Sequence, residues 1–225
     1  MGRYRRIGTC AVLLAAMWDA RAGADVTVSK KPPVVEQKTF DPAHPPTDMP
    51  PLKDDEAALT EARFDCAMNL TYVVTERKPA AERCTTVLQV RGVTITLQLK
   101  IVIWLPDKVP AKLTAHEEGH RQIDERVYED AERVARDLAA RLDGQSLSGE
   151  GVDCAAAEAA VTRAAADQFC KVYLKQIAGE AGRVGDAYDQ ITAHGTRSQP
   201  SEPEAIHQAF AKVERQDHPD HKPPR

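Results

Sequence analysis

The chain predicts an α+β domain, a small antiparallel sheet followed by long antiparallel helices, on three observations. Apolar residues recur at every second position from Val93 to Ile103, alternating with Thr94, Thr96, Gln98, Lys100 and Val102, the mark of a half-buried strand. Leu113, Ile123, Val127, Val134, Leu138 and Leu142 then recur at helical spacing. A second helical run, alanine-rich over residues 152–178, follows after a short break, and short breaks between long helices imply antiparallel neighbours.

In chain order, residues 1–24 read as a secretory signal. Arg3, Arg5 and Arg6 form the basic start, residues 7–18 the apolar run, and Ala20-Arg21-Ala22 or Ala22-Gly23-Ala24 the small-residue end. That run is too short to cross a bilayer and no later one is longer, so no stable membrane insertion is expected after its removal. Residues 25–53, with Pro32-Pro33, Pro42, Pro45-Pro46 and Pro50-Pro51, predict an extended leader. The domain proper is expected over residues 54–197. Residues 198–225 are polar and predict a disordered tail, with His218 and His221 as solvated side chains. A net charge of −4 gives no reason to expect nucleic acid as a partner.

Two further strands are expected at residues 68–75 and 85–90, with Arg91-Gly92 as a bend or bulge in one continuous run. Such a sheet has one wet face. A strand edge beside the following helix can align an extended peptide by backbone pairing, or simply support the core. Trp104-Leu105-Pro106 closes the last strand and Pro110 suits a first helical turn. Asp143-Gly144 supplies a stop, and residues 145–151 read as a loop. After the second helix, Gly179, Gly182 and Gly185 predict a break, and residues 186–195 a returning segment.

The first helix carries His116-Glu117-Glu118-Gly119-His120, the zincin pattern His-Glu-x-x-His. Residues four apart share a helix face, so His116 and His120 can grip one Zn²⁺ while Glu117 reaches a water on the metal. Both histidines fall on the apolar stripe, where buried imidazoles need partners; a hydrogen-bonded core pair is the simpler alternative. A catalytic site needs a third protein ligand. The metzincin continuation would require Gly at 123 and His at 126, where Ile123 and Arg126 stand. Asp124, a turn beyond His120, suits a supporting hydrogen bond better than the metal. His194, at a loop end before Gly195, is the preferred ligand, with Asp189 and Glu158 in reserve.

Besides Cys10 in the signal, the chain has Cys66, Cys84, Cys154 and Cys170, an even set suited to an oxidising compartment. If residues 155–169 form one helix, Cys154 and Cys170 stand roughly 24 Å apart, against the about 6 Å a disulfide allows. Each should therefore bridge to the first half of the chain, by either of two pairings. A tetrathiolate zinc site lacks the close Cys-x-x-Cys pair it needs.

Over residues 60–197 the order of Cys84, the strand ending Trp104-Leu105-Pro106, His116-Glu117-Glu118-Gly119-His120, Asp153-Cys154 and Tyr188-Asp189-x-x-Thr192-x-His194-Gly195 resembles the bacterial predicted secreted zinc-dependent protease family. The resemblance implies a zincin-like metallopeptidase of the periplasm or exterior that hydrolyses peptide or protein substrates. It supports His194 as third ligand to Zn²⁺ beside His116 and His120. It also implies a Cys84–Cys154 bridge, with Cys66 and Cys170 adding a second. In that reading Glu117 is the general base, and Tyr188 either donates to the tetrahedral oxyanion or serves only as packing. Asp189 or Asp124 would orient a ligand imidazole. Two alternatives share the features: a cell-wall peptide hydrolase or amidase with the same site, and a non-catalytic, disulfide-tied envelope protein with a structural metal and a protein partner.

Overall fold

A computed structural model describes residues 25–53 and 56–217. The signal expected at residues 1–24, and His218 and His221, lie outside them. The organising element is one long strand, β4 (Arg83–Pro106), and four strands pair with it. β3 (Leu59–Ala80) runs antiparallel along one edge, joined to it by a tight turn at Ala81-Glu82. The other edge carries β5 (Ser146–Gly151), antiparallel, then β1 (Asp25–Lys30) and β2 (Val34–Phe40), both parallel to β4.

The expected antiparallel sheet is therefore corrected to a mixed one. The reason lies in the proline-rich segment, which is not a leader. β1 and β2 lie end to end along β4, and Pro32-Pro33 sits between them, where missing N–H groups cost no ladder bonds. The Gln98 side-chain amide donates to the Pro32 carbonyl, 2.8 Å away, at the gap.

Along β4 burial alternates through Cys84, Thr86, Leu88 and Val90, then through Val93, Ile95, Leu97, Leu99, Ile101 and Ile103. The switch from even to odd numbers would turn the apolar side to water. It does not, because Thr71 pairs with Gly92 and Tyr72 with Val90, leaving Arg91 as an extra residue. This bulge keeps one continuous apolar face.

Helices cover that face. α1 (Ala111–Glu129) and α2 (Ala131–Ala139) divide the single long helix expected there. At Asp130 the backbone N–H reaches Val127 rather than closing a regular turn, and Arg133 pairs with the Asp130 carboxylate. The expected helix pair joined by a loop is corrected too. Residues 146–151 are strand β5, and α3 (Cys154–Thr192) runs 39 residues without a break. Gly179, Gly182 and Gly185 each cost about 1 kcal/mol in a helix. Burial of Tyr173, Ile177, Ala181, Val184 and Tyr188 on either side of them, at about 1.5–3 kcal/mol for each large apolar side chain, outweighs that.

α3 starts where the Asp153 carboxylate accepts from the Ala156 N–H at 2.8 Å. Disulfides Cys84–Cys154 and Cys66–Cys170 fasten it to β4 and β3, with Cα separations of 4.9 and 5.5 Å. This is the pairing the family resemblance implied.

The expected disordered tail holds α4 (Glu202–Asp217), which buries Ala205, Ile206, Ala209 and Val213 against Ile123, Val184, Ala187 and Tyr188. Glu204 accepts from both the backbone N–H and the hydroxyl of Ser201, a capping arrangement that opens the helix. Among the described residues, no helix is long and apolar enough to cross a membrane.

Candidate metal centre

α1 and the end of α3 cross beside the start of β3, and the cluster forms at that crossing. His116 and His120, one turn apart on α1, both direct Nε2 at a single oxygen of Asp189 on α3. Oδ1 lies 3.2 Å from His116 and 2.9 Å from His120. One donor atom from each of the three residues falls within 4.8 Å of the others.

Two packing relationships hold the imidazoles. The Tyr188 ring stacks on His116 with centroids 5.0 Å apart and meets His120 edge-on at 5.1 Å. Thr192 donates its hydroxyl proton to the Tyr188 carbonyl at 2.8 Å, so its oxygen is left to accept from His116 Nδ1, 3.4 Å away. That contact favours the proton on Nδ1 and turns Nε2 toward the cluster.

Glu117 is buried beside them. Thr60, near the start of β3, donates to its Oε2 at 2.8 Å. Burial pushes the Glu117 carboxyl above its ordinary range; the His120 charge and the Thr60 hydrogen bond offset this in part. For His120, burial pulls downward but the Asp189 hydrogen bond and charge prevail, so its imidazolium is held to higher pH than usual. Asp189 is likewise penalised by burial, yet its close contacts with the His116 and His120 imidazoles hold its carboxyl well below the usual range.

The other expected site residues divide. His194 follows α3 in a turn where residues 193, 194 and 195 all have positive φ. This brings its Nδ1 to 3.7 Å from Asp189 Oδ1, with the side chain 35% exposed. A Cβ on Gly195 would meet His116 Cβ at 2.8 Å, so only glycine lets the turn lie this close. Glu158 lies on the first turns of α3, where it pairs with Arg77 at 2.7 Å. Tyr188 is fully buried, its hydroxyl 3.5 Å from the His116 carbonyl, so it serves the cluster as packing and not as a donor facing solvent.

Thr192 stands in the sequence reading only as part of the Tyr188-Asp189-x-x-Thr192 motif, with no role of its own, and Thr60 does not stand there at all. Thr192 had a readable signal: 188, 189 and 192 share a helix face once the glycines are accepted within α3. Thr60 had none, because its role depends on β3 passing α1.

All of this opens into a cavity of about 530 Å³. Its walls come from Lys53, residues 56–60, Ala62 and Phe64 beside and within β3, from α1, and from the last third of α3 with the turn at residues 194–196. The donor set, two imidazoles and a carboxylate, is of a kind that can hold a zinc ion, and it faces the cavity. No family model, no curated protein and no solved structure matches this chain.

Proposed function

We propose that the chain is a zinc-dependent peptidase of the cell envelope or exterior, with His116, His120 and Asp189 as the metal ligands. The observation that carries this reading is the convergence of both Nε2 atoms on Asp189 Oδ1, with Glu117 buried alongside and an open cavity in front. Asp189 is preferred to His194 as third ligand because the two imidazoles meet on its oxygen, while His194 lies 3.7 Å beyond.

A bound zinc would supply an acidified water and polarise a substrate carbonyl. The rest of the chemistry belongs to the chain. Thr60 occupies Oε2 of Glu117, so the other carboxylate oxygen is the one available to take the water's proton. The raised proton affinity of Glu117 suits it to hold that proton and return it to the leaving amine. His194, partly exposed on the cavity wall beside the cluster, is the side chain this reading assigns to meet a developing oxyanion.

Peptide is the favoured substrate class because β3, whose first residues line the cavity, pairs only with β4 among the described strands. Its other edge can accept an extended chain. The resemblance to predicted secreted zinc-dependent proteases agrees with this. Two disulfides and the signal-like residues 1–24 support an oxidising compartment.

The test uses purified protein, zinc analysis and a peptide library. One zinc per chain with hydrolysis, and Glu117→Gln that keeps zinc but loses cleavage by on the order of a hundredfold or more, is the expected result. Zinc that comes off only with unfolding, or undiminished turnover in Glu117→Gln, would overturn it.

A further inference from the structure

The cavity continues past the metal centre. Beyond His120 it is bounded by Ala62 and Phe64 of β3 and by Ala178, Ala181 and Gly182 of α3, and Asp124 also lines it. The α3 wall is made of small residues, which gives this arm its width. These five wall residues are apolar; Asp124, one turn beyond His120 on α1, places a carboxylate among them, and Asp186, one turn from Gly182 on α3, also lines the cavity.

Asp124 is only 9% exposed, yet among the described residues it makes no hydrogen bond or ion pair. The charges that act on it pull in opposite directions, His120 attracting and Glu125 repelling. A buried carboxylate is stable only when paired, so one facing an open apolar channel is set up to receive a cation from outside the chain. Apolar walls ending in an acid match a side chain with an aliphatic stem and a charged head. The distance also fits. One helical turn, about 5.4 Å, separates Asp124 from the metal-facing His120, and a lysine or arginine stem spans that when its peptide bond lies at the metal.

Resting on the peptidase reading, we propose that Asp124 is the specificity-determining residue of a pocket for a lysine or arginine side chain of the peptide substrate. The ammonium or guanidinium pairs with the Asp124 carboxylate, and the stem lies between Phe64 and the small residues of α3. Asp124 takes no part in the bond-breaking step; it selects which peptide bond reaches the metal.

Two measurements test this. The first is binding of n-butylguanidinium to metal-free protein, followed by calorimetry. Wild type should bind it, and Asp124→Asn, nearly the same shape without the charge, should weaken it by on the order of tenfold or more. Gly182→Leu is a second variant, since a Cβ there meets open space and a longer side chain narrows the pocket without a backbone clash. It should weaken binding as well. The second measurement is the zinc-loaded protein's kcat/KM ratio for peptides differing only in lysine against norleucine. The ratio should favour lysine in wild type and fall about tenfold or more in Asp124→Asn. If wild type cleaves with no such preference, or Asp124→Asn binds n-butylguanidinium equally well, the pocket assignment is overturned and the peptidase reading stands. If wild type cleaves no peptide yet n-butylguanidinium binding depends on Asp124, the peptidase reading fails and the cation pocket stands.

Discussion

A methyl group on Gly119 would stand 2.2 Å from the Tyr188 hydroxyl oxygen and 2.6 Å from its Cζ. The glycine inside the His-Glu-x-Gly-His segment is thus a packing requirement: it lets the ring that stacks on His116 reach α1. Alanine is the better helix former by about 1 kcal/mol, but overpacking a buried site costs about 1–3 kcal/mol. Gly119→Ala should therefore be less stable by denaturant unfolding, and should bind zinc more weakly because Tyr188 is displaced. Tyr188→Phe should not restore it, since Cζ alone is too close.

Removing a ligand should separate the two third-donor assignments. Asp189→Asn leaves a neutral amide where both Nε2 atoms converge and should lower zinc affinity by more than the about 10–100-fold typical of supporting residues. His194→Ala, 3.7 Å from the same oxygen, should stay within that range or below it. Competition with a chelator of known affinity measures both. The reverse ranking would make His194 the ligand and Asp189 its support.

Much of this arrangement could be read from the chain, and the failures have physical causes. The β4 alternation, the helical stripe of α1 and the two histidines one turn apart are local patterns, and they appear where expected. The sheet's direction was not local. Parallel pairing of β1 and β2 depends on a proline-rich segment finding the far edge of β4, which no period in residues 25–40 encodes. The continuity of α3 through Gly179, Gly182 and Gly185 is a tertiary override of weak propensity, and it moved Asp189 from reserve to the centre of the cluster. α4 was legible. Ser201-x-x-Glu204 followed by Ala205, Ile206, Ala209 and Val213 is a capped amphipathic pattern that the surrounding polarity obscured.

Protons should compete with the metal. His120 is held protonated above its ordinary 6.5 by Asp189, so zinc must displace that proton, and apparent affinity should rise with pH through and beyond 6.5. Titrations in buffers of different ionisation heat should show proton release that shrinks as pH increases. In the metal-free protein the same pair has a stability window. The raised His120 contributes fully below 6.5 and loses this as pH rises through its folded value. The depressed Asp189 contributes above 3.8 and loses this as pH falls further. Their joint contribution should be largest between those values, and Asp189→Asn should be most destabilising there.

The bridges should act on stability. Cys66–Cys170 closes 104 residues and Cys84–Cys154 closes 70, each joining the sheet to α3. Replacing either pair by alanine should cost about 2–5 kcal/mol, measured by denaturant unfolding. Because the metal-bearing end of α3 is also held by packing on α1 and α4, zinc stoichiometry should remain one per chain in each variant that folds.

Asp124 supplies the last test, in the protein's own stability. Burial pushes its carboxyl up from 3.8 to about 7. Above about pH 7 the folded chain carries a buried charge that the unfolded chain solvates freely, which is a cost to folding. As pH falls from 7 to 3.8 the folded carboxyl is already protonated while the unfolded one still gives up its proton, so the cost shrinks; below 3.8 it is gone. The gap bounds the cost at about 4 kcal/mol. Asp124→Asn should therefore be more stable than wild type at pH 8, with the two melting curves converging near pH 4. Adding n-butylguanidinium at pH 8 should narrow the difference by stabilising only the wild type. A variant less stable than wild type at pH 8 would mean that the carboxylate already has a partner within the fold.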